Sequence, residues 1–127
     1  MQKQTIDKVR EFHDAFGVAN HVHPTITDNR INALRINLLR EEVEELQQAL
    51  VTRNLTEVLD ALTDIQYVLD GAYLQFGLAH LKEAAFNEVH RSNMGKLDEN
   101  GKAIFAADGK VVKSKLYSKP NLAPLLK

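Results

Sequence analysis

The stretch Ile31-Asn-Ala-Leu-Arg-Ile-Asn-Leu-Leu-Arg-Glu-Glu-Val-Glu-Glu-Leu-Gln-Gln-Ala49 decides how this chain is read. At about 100° per residue, Leu34, Leu38 and Ala49 fall within about 60° of Ile31, which predicts the buried stripe of an amphipathic helix. Glu42 and Glu45 fall in that same stripe, at roughly +20° and −40°, and Glu41 lies on its edge. Only Glu44 faces clearly away. A solvated acidic face supported by ion pairs would need Lys or Arg three or four residues on, but Glu44 and Glu45 are followed by Gln47, Gln48 and Ala49. Arg40 reaches only the outward Glu44. Glu41 and Glu42 each face Glu45 as like-charge neighbours, which mildly destabilises an isolated helix. Inward carboxylates without cationic side chains call for a bound cation.

The flanking sequence extends this helix from a cap at Thr27 or Asp28 to about Arg53. A third helix begins at Asn54 or Thr56 and ends at Phe76-Gly77, with Val58, Leu62, Ile65, Leu69, Ala72 and Phe76 as its apolar stripe. Leu59, Tyr67, Tyr73 and Leu74 make it apolar nearly all round, as a central helix would be. Glu57, Asp60 and Asp64 share one flank of it, whereas Asp70 points elsewhere and reads as surface. Antiparallel packing of the second and third helices would bring the two acidic sets together. Hard carboxylate oxygens at that density suit Mg²⁺, with Mn²⁺ as a substitute, and these ions commonly take phosphate oxygens as further ligands. A di-iron centre would need Glu-x-x-His pairs, and no Glu here has His three residues later.

A first helix is expected from Thr5 to Phe16, stopped by Gly17, and a fourth from about Leu78 to Asn93. Beyond Gly95 the helical spacing ends. Asn100-Gly101 and Asp108-Gly109 are turn signals around Ala103-Ile-Phe105 and Val111-Val112, consistent with a small hairpin in an irregular tail. The expected fold class is therefore all-α, a helical body over 1–95 with a C-terminal tail over 96–127 packed on the body or on a partner subunit. Charge follows the same division. The formal net charge of −1 sums a body with 9 Lys+Arg against 14 Asp+Glu and a tail with 7 Lys against 3 acids.

Composition narrows the function classes. The 127 residues contain no Cys, which excludes disulfides, thiolate metal sites and a Cys nucleophile, and fits a reducing cytoplasm. The N-terminal residues lack the apolar core of a secretory signal, and no apolar run approaches the roughly 20 residues that span a bilayer. No Walker loop, dinucleotide-binding turn or Ser/His/Asp arrangement is present. A nucleic-acid role would rest on the Lys-rich tail, where only Phe105 and Tyr117 are interleaved, over an acidic body, so no nucleic-acid partner is expected.

The end of the fourth helix, Glu88-Val-His-Arg-Ser-Asn-Met-Gly-Lys96, groups cations near a stop. Lys96 and Asn93 suit gripping phosphate oxygens. Arg91 and His90 read equally well as cations favoured by a helix C-terminus. His13 reads as a half-buried, satisfied histidine beside an apolar face, and His21 and His23 as loop residues.

Taken together, these motifs resemble a family. Glu41-Glu-Val-Glu-Glu45 followed by an acidic pair on the next helix is similar to the signature of the MazG-like all-α nucleoside triphosphate pyrophosphohydrolases. Leu34-Arg-Ile-Asn-Leu-Leu-Arg-Glu-Glu42, Asp60-Ala-Leu-Thr-Asp-Ile-Gln-Tyr-Val68 and Phe86-Asn-Glu-Val-His-Arg-Ser-Asn-Met-Gly-Lys96 resemble its phosphoribosyl-ATP pyrophosphohydrolase-like branch, which includes dUTPase-like members. The resemblance implies a four-helix fold working as a homodimer or homotetramer, and Mg²⁺-dependent cleavage of a nucleotide between its α- and β-phosphates. It implies Glu41, Glu42, Glu45 and Asp64 as metal-site residues, with Glu41 orienting or deprotonating the attacking water. Lys96 would act catalytically on the departing pyrophosphate, Asn93 and Arg91 would bind the phosphates, and Tyr67 with Phe16 would line the base groove. The motif's second acid is absent: Ala61 stands three residues before Asp64, so Asp60, or Glu57 in another register, is left to fill it. The alternative to an enzyme is a non-catalytic helical dimerisation or nucleotide-sensing module.

Overall fold

The computed structural model describes residues 3–127 and divides them into two compact units, one ending at His80 and one spanning Leu81–Lys127. The first unit holds three helices: α1 (Thr5–Phe16), α2 (Asn29–Val51) and α3 (Leu55–Gln75). Local chemistry sets their ends. Gln4 and Asp7 form a capping box at α1, and Gly17, at φ 72°, closes it in the left-handed region that glycine enters without penalty. Asp28 caps α2 by accepting from the Ile31 amide at 2.9 Å, and Asn54 caps α3 by accepting from the Glu57 amide at 3.2 Å.

α3 is the central element and packs against both α1 and α2. Ile6, Val9 and Leu74 form the buried apolar cluster, with Tyr73 and Ala79 against it. The connection after α1 is tied to the end of α3. His21 donates its amide to the Leu74 carbonyl and Thr25 to the Phe76 carbonyl, each at 2.9 Å. These bonds satisfy carbonyls that a helix terminus leaves open. Gly77 makes the close approach feasible, since it has φ 69° and an added Cβ would lie 2.0 Å from the His23 carbonyl oxygen.

Two expectations about buried faces are corrected. Leu34 is 59% exposed and Ile31 sits at the surface, whereas the buried α2 residues are Arg35 and Ala49. The inward face is thus turned by roughly 40° from the stripe centred on Ile31. The turn is stabilised by polar satisfaction rather than by apolar content. Arg35 donates from Nε to Gln75 Oε1 at 2.9 Å and from Nη1 toward the Val68 carbonyl at 3.4 Å. Gly71 leaves the room, because a Cβ there would come 2.6 Å from Arg35 Nη1. Asp70 is likewise buried rather than superficial, and accepts a hydrogen bond from the Thr5 hydroxyl at 2.9 Å across the α1–α3 contact. His13 is buried and hydrogen-bonded to Asn20 at 2.7 Å. Desolvation, its largest influence, keeps its pKa below the usual histidine value.

The second unit contains α4 (Lys82–Met94), which a 3₁₀ turn over Ala79–Leu81 precedes, so the regular helix starts later than Leu78. Two short strands follow, β1 (Ile104–Phe105) and β2 (Val111–Val112). They pair antiparallel with Ile104 opposite Val112 and Phe105 opposite Val111, forming the expected hairpin. Gly109, at φ 87°, closes its turn by donating to the Ala106 carbonyl at 3.0 Å. With four α-helices and this one small hairpin among the described residues, the chain is all-α.

Candidate metal centre

Glu42 and Glu45 stand one turn apart on α2, so their side chains emerge on one side. Asp64 comes from α3, which packs along α2. One carboxylate oxygen from each of the three lies within 4.8 Å of the others. Three ionised carboxylates at such a separation repel strongly. The strain is visible on Glu42, whose carboxyl is pushed up to about 7 by desolvation first and then by Glu45 and Asp64. Burial, with Asp60 and Glu45 close by, also raises Asp64. Glu42 Oε2 is buried and finds no hydrogen-bond partner among the described residues. A buried polar atom without a partner costs free energy, so the donor set fits a hard divalent cation that would accept these oxygens and remove the repulsion.

Asp60 acts on Asp64 electrostatically. It lines a groove of about 190 Å³ with Glu45, Gln48, Thr52 and Glu57, floored by Ala49 and Ala61. Ala61 is buried, at 1% exposure. The small residue where the motif has an acid therefore belongs to the tight α2–α3 contact, and Asp60 and Glu57 stand on the same groove wall. Glu41 is exposed and lies outside the three-carboxylate cluster.

Tyr67 follows Asp64 by one turn of α3 and is 40% exposed. Its ring meets Phe12 edge-on at 5.7 Å, and Phe12 stacks on Phe16 at 4.4 Å. These rings, with Lys3, Lys8, Glu11 and Ala15, line a groove of about 480 Å³ in the first unit.

In the second unit, Arg91 is held by Glu88 through two contacts, at 2.8 and 2.9 Å, and donates to Ser118 Oγ at 2.9 Å. Its guanidinium thus clamps the tail. Glu88 is held well down, to about 2, by Arg91 first and then by the Asn121 amide. Asn93 and His90 are exposed and Lys96 is half-buried. The sequence gives no signal for the burial of Arg35, a cation that falls within the stripe around Ile31, or for the contact of the tail's Lys113 with Tyr117.

Residues 9–93 match the phosphoribosyl-ATP pyrophosphohydrolase family along the stretch that builds the acidic cluster. The chain belongs to that family. It is part of the MazG-like all-α nucleoside triphosphate pyrophosphohydrolase superfamily. A curated relative, an uncharacterized protein of Acanthamoeba polyphaga mimivirus, is 35% identical over 96 residues, covering 72% of this chain. The chain spans 38% of that relative's length. As a phosphoribosyl-ATP pyrophosphohydrolase family member, this chain carries its acids on α2 and α3 within the matched region, whereas Lys96 and the tail lie beyond it. No described helix is long and apolar enough to cross a membrane.

Proposed function

We propose that this chain is a Mg²⁺-dependent pyrophosphohydrolase that cleaves the α–β phosphoanhydride of a (d)NTP or related nucleotide, leaving a monophosphate and pyrophosphate. The observation that carries the reading is the convergence of Glu42, Glu45 and Asp64 with one buried, unpartnered oxygen. Those residues would hold the ion, with Asp60 beside them. A bound Mg²⁺ would lower the pKa of its water and offset negative charge on the phosphates. Glu41, exposed to solvent, would orient or deprotonate the attacking water. Lys96 and Asn93, with Arg91, would neutralise charge on the pyrophosphate. The groove beside Tyr67 and Phe16, one turn from Asp64, would take the base through its aromatic walls.

A second copy of the chain is the proposed partner, in a homodimer or homotetramer. Ile36, Val43 and Leu50 recur every seventh residue on α2 and are each more than half exposed. A stripe of that kind resembles half of a helix–helix seam. Light scattering after gel filtration reads the subunit number, and a monomer would remove this part. A reducing cytoplasm is the proposed compartment, on the absence of Cys.

The deciding experiment is pyrophosphate release from a panel of dNTPs, NTPs and phosphoribosyl-ATP with Mg²⁺ or Mn²⁺. Release from at least one substrate, abolished by chelation, is expected. No release from any would leave a non-catalytic helical module.

A further inference from the structure

The tail of the second unit folds back along the end of α4. Ser114 donates from Oγ to the Gly95 carbonyl at 3.0 Å, and the buried Ser92 hydroxyl donates to the Ser118 carbonyl at 2.8 Å. Arg91 reaches Ser118 Oγ at 2.9 Å and the Lys119 carbonyl at 3.4 Å. Residues 113–118, remote in sequence, are thereby laid beside residues 91–96.

That fold-back gathers positive charge. Lys113 Nζ stands 4.6 Å from the centroid of the Tyr117 ring, a cation–π contact. The Ser114–Gly95 bond lays this segment next to Lys96, and Ser92 first, then the charges of Lys113, Lys96 and Arg91, hold the pKa of the Tyr117 phenol below its usual value. Arg91 is neutralised by Glu88, which also accepts from the Asn121 amide at 2.7 Å. Lys96 and Lys113 have no such partner: neither forms an ion pair among the described residues. A multivalent oxyanion lodged between residues 96 and 113 would take charge-assisted contacts from both ammonium groups.

We propose that Lys96 and Lys113 form a polyphosphate-binding site in the second unit, with Tyr117 as the positioning residue that holds the Lys113 ammonium. The polyphosphate identity of the anion rests on the pyrophosphohydrolase reading. Its anionic character rests on the two unpaired ammonium groups alone. Lysine suits the task because its compact charge tolerates several phosphate orientations.

Calorimetric titration of the full chain with inorganic pyrophosphate, in chelator and without divalent ions, tests this apart from catalysis. Lys113→Met and Lys96→Met are each expected to weaken binding about tenfold or more. Tyr117→Leu should weaken it severalfold while Tyr117→Phe, which keeps the ring, stays within about twofold of the wild type. Lys110→Met, a tail lysine outside the cluster, should change nothing. Wild-type affinity in Lys113→Met, equal loss in Lys110→Met, or no pyrophosphate binding by the wild type would each overturn the site. If the variants behave as expected while no nucleotide is hydrolysed, the anion site stands and the enzymatic reading falls. If hydrolysis is robust and Lys113→Met binds pyrophosphate normally, the reverse holds.

Discussion

Replacing Glu42 with Gln separates a metal centre from an ordinary acidic surface by stability alone. In the metal-free protein the Glu42 carboxyl is raised from the ordinary 4.5 to about 7 by desolvation, Glu45 and Asp64. At about 1.4 kcal/mol per tenfold, that rise sets a ceiling of about 3 kcal/mol on what ionising Glu42 costs the fold. Glu42 is only half-buried, and solvent screening reduces the cost to about 1 kcal/mol. The sign follows from linkage. A carboxyl whose folded pKa lies above its unfolded value contributes stability below about 4.5 that is lost as pH rises through about 7. Glu42→Gln keeps the shape without the charge. At pH 8 in chelator the variant should melt higher, by about 3–5 °C for about 1 kcal/mol in a chain of this size, and the gain should shrink at pH 5. Adding 10 mM Mg²⁺ (about a hundredfold over a dissociation constant near 0.1 mM) should raise the wild type by about 2.7 kcal/mol and the variant far less, reversing their order. Differential scanning fluorimetry or calorimetry reads both effects. A variant less stable than the wild type in chelator at pH 8, or an equal Mg²⁺ response in both, would refute the reasoning.

Asp64→Asn should lower Mg²⁺-dependent pyrophosphate release about 100-fold or more, since it removes the α3 carboxylate from the cluster; steady-state kinetics on whichever substrate the panel identifies will show it. Gly71→Ala places a Cβ 2.6 Å from Arg35 Nη1 and 3.1 Å from His13 Nε2, and urea unfolding should report a loss of about 1–3 kcal/mol. Acidification from about 4.5 toward 2 should release the tail clamp, because Glu88 is held near 2 while bonded and its contribution is lost as pH falls through that value. Protection of the Asn121 amide, which donates to Glu88, should fall over that range when its exchange is compared with the intrinsic rate at each pH, and should already be low at neutral pH in Glu88→Gln.

Much of the helical layout is written locally. Asp28 and Asn54 cap α2 and α3 with side-chain oxygens, and Gly17 ends α1 in a left-handed turn; each is a short-range preference visible in one chain segment. Glu42 was legible as inward because its place in the helical stripe is geometry and acids without nearby cations are conspicuous; Glu45, read as inward for the same reason, is exposed and joins the cluster from its solvent side. Leu34 and Asp70 were misread, and Arg35 was left unread, for one shared reason. Periodicity assigns apolar residues to the inside, yet Arg35 is buried because Gln75 and the Val68 carbonyl satisfy it, and Asp70 accepts from Thr5 across 65 residues of chain. Such partners come from other helices and leave no local trace.

The amino-acid order by itself determined four helices, the candidate caps of α2 and α3 and the stop of α1, the acids they carry and the charge contrast between body and tail, since these depend on residues within a few positions of each other. Only the tertiary structure decided which α2 face turns inward, that one oxygen from each of Glu42, Glu45 and Asp64 comes within 4.8 Å of the others, and that Lys113 is brought beside Tyr117 at the end of α4. Those outcomes depend on space left by Gly71 and Ala61 and on hydrogen bonds between distant segments, and no local propensity encodes a distance between two helices.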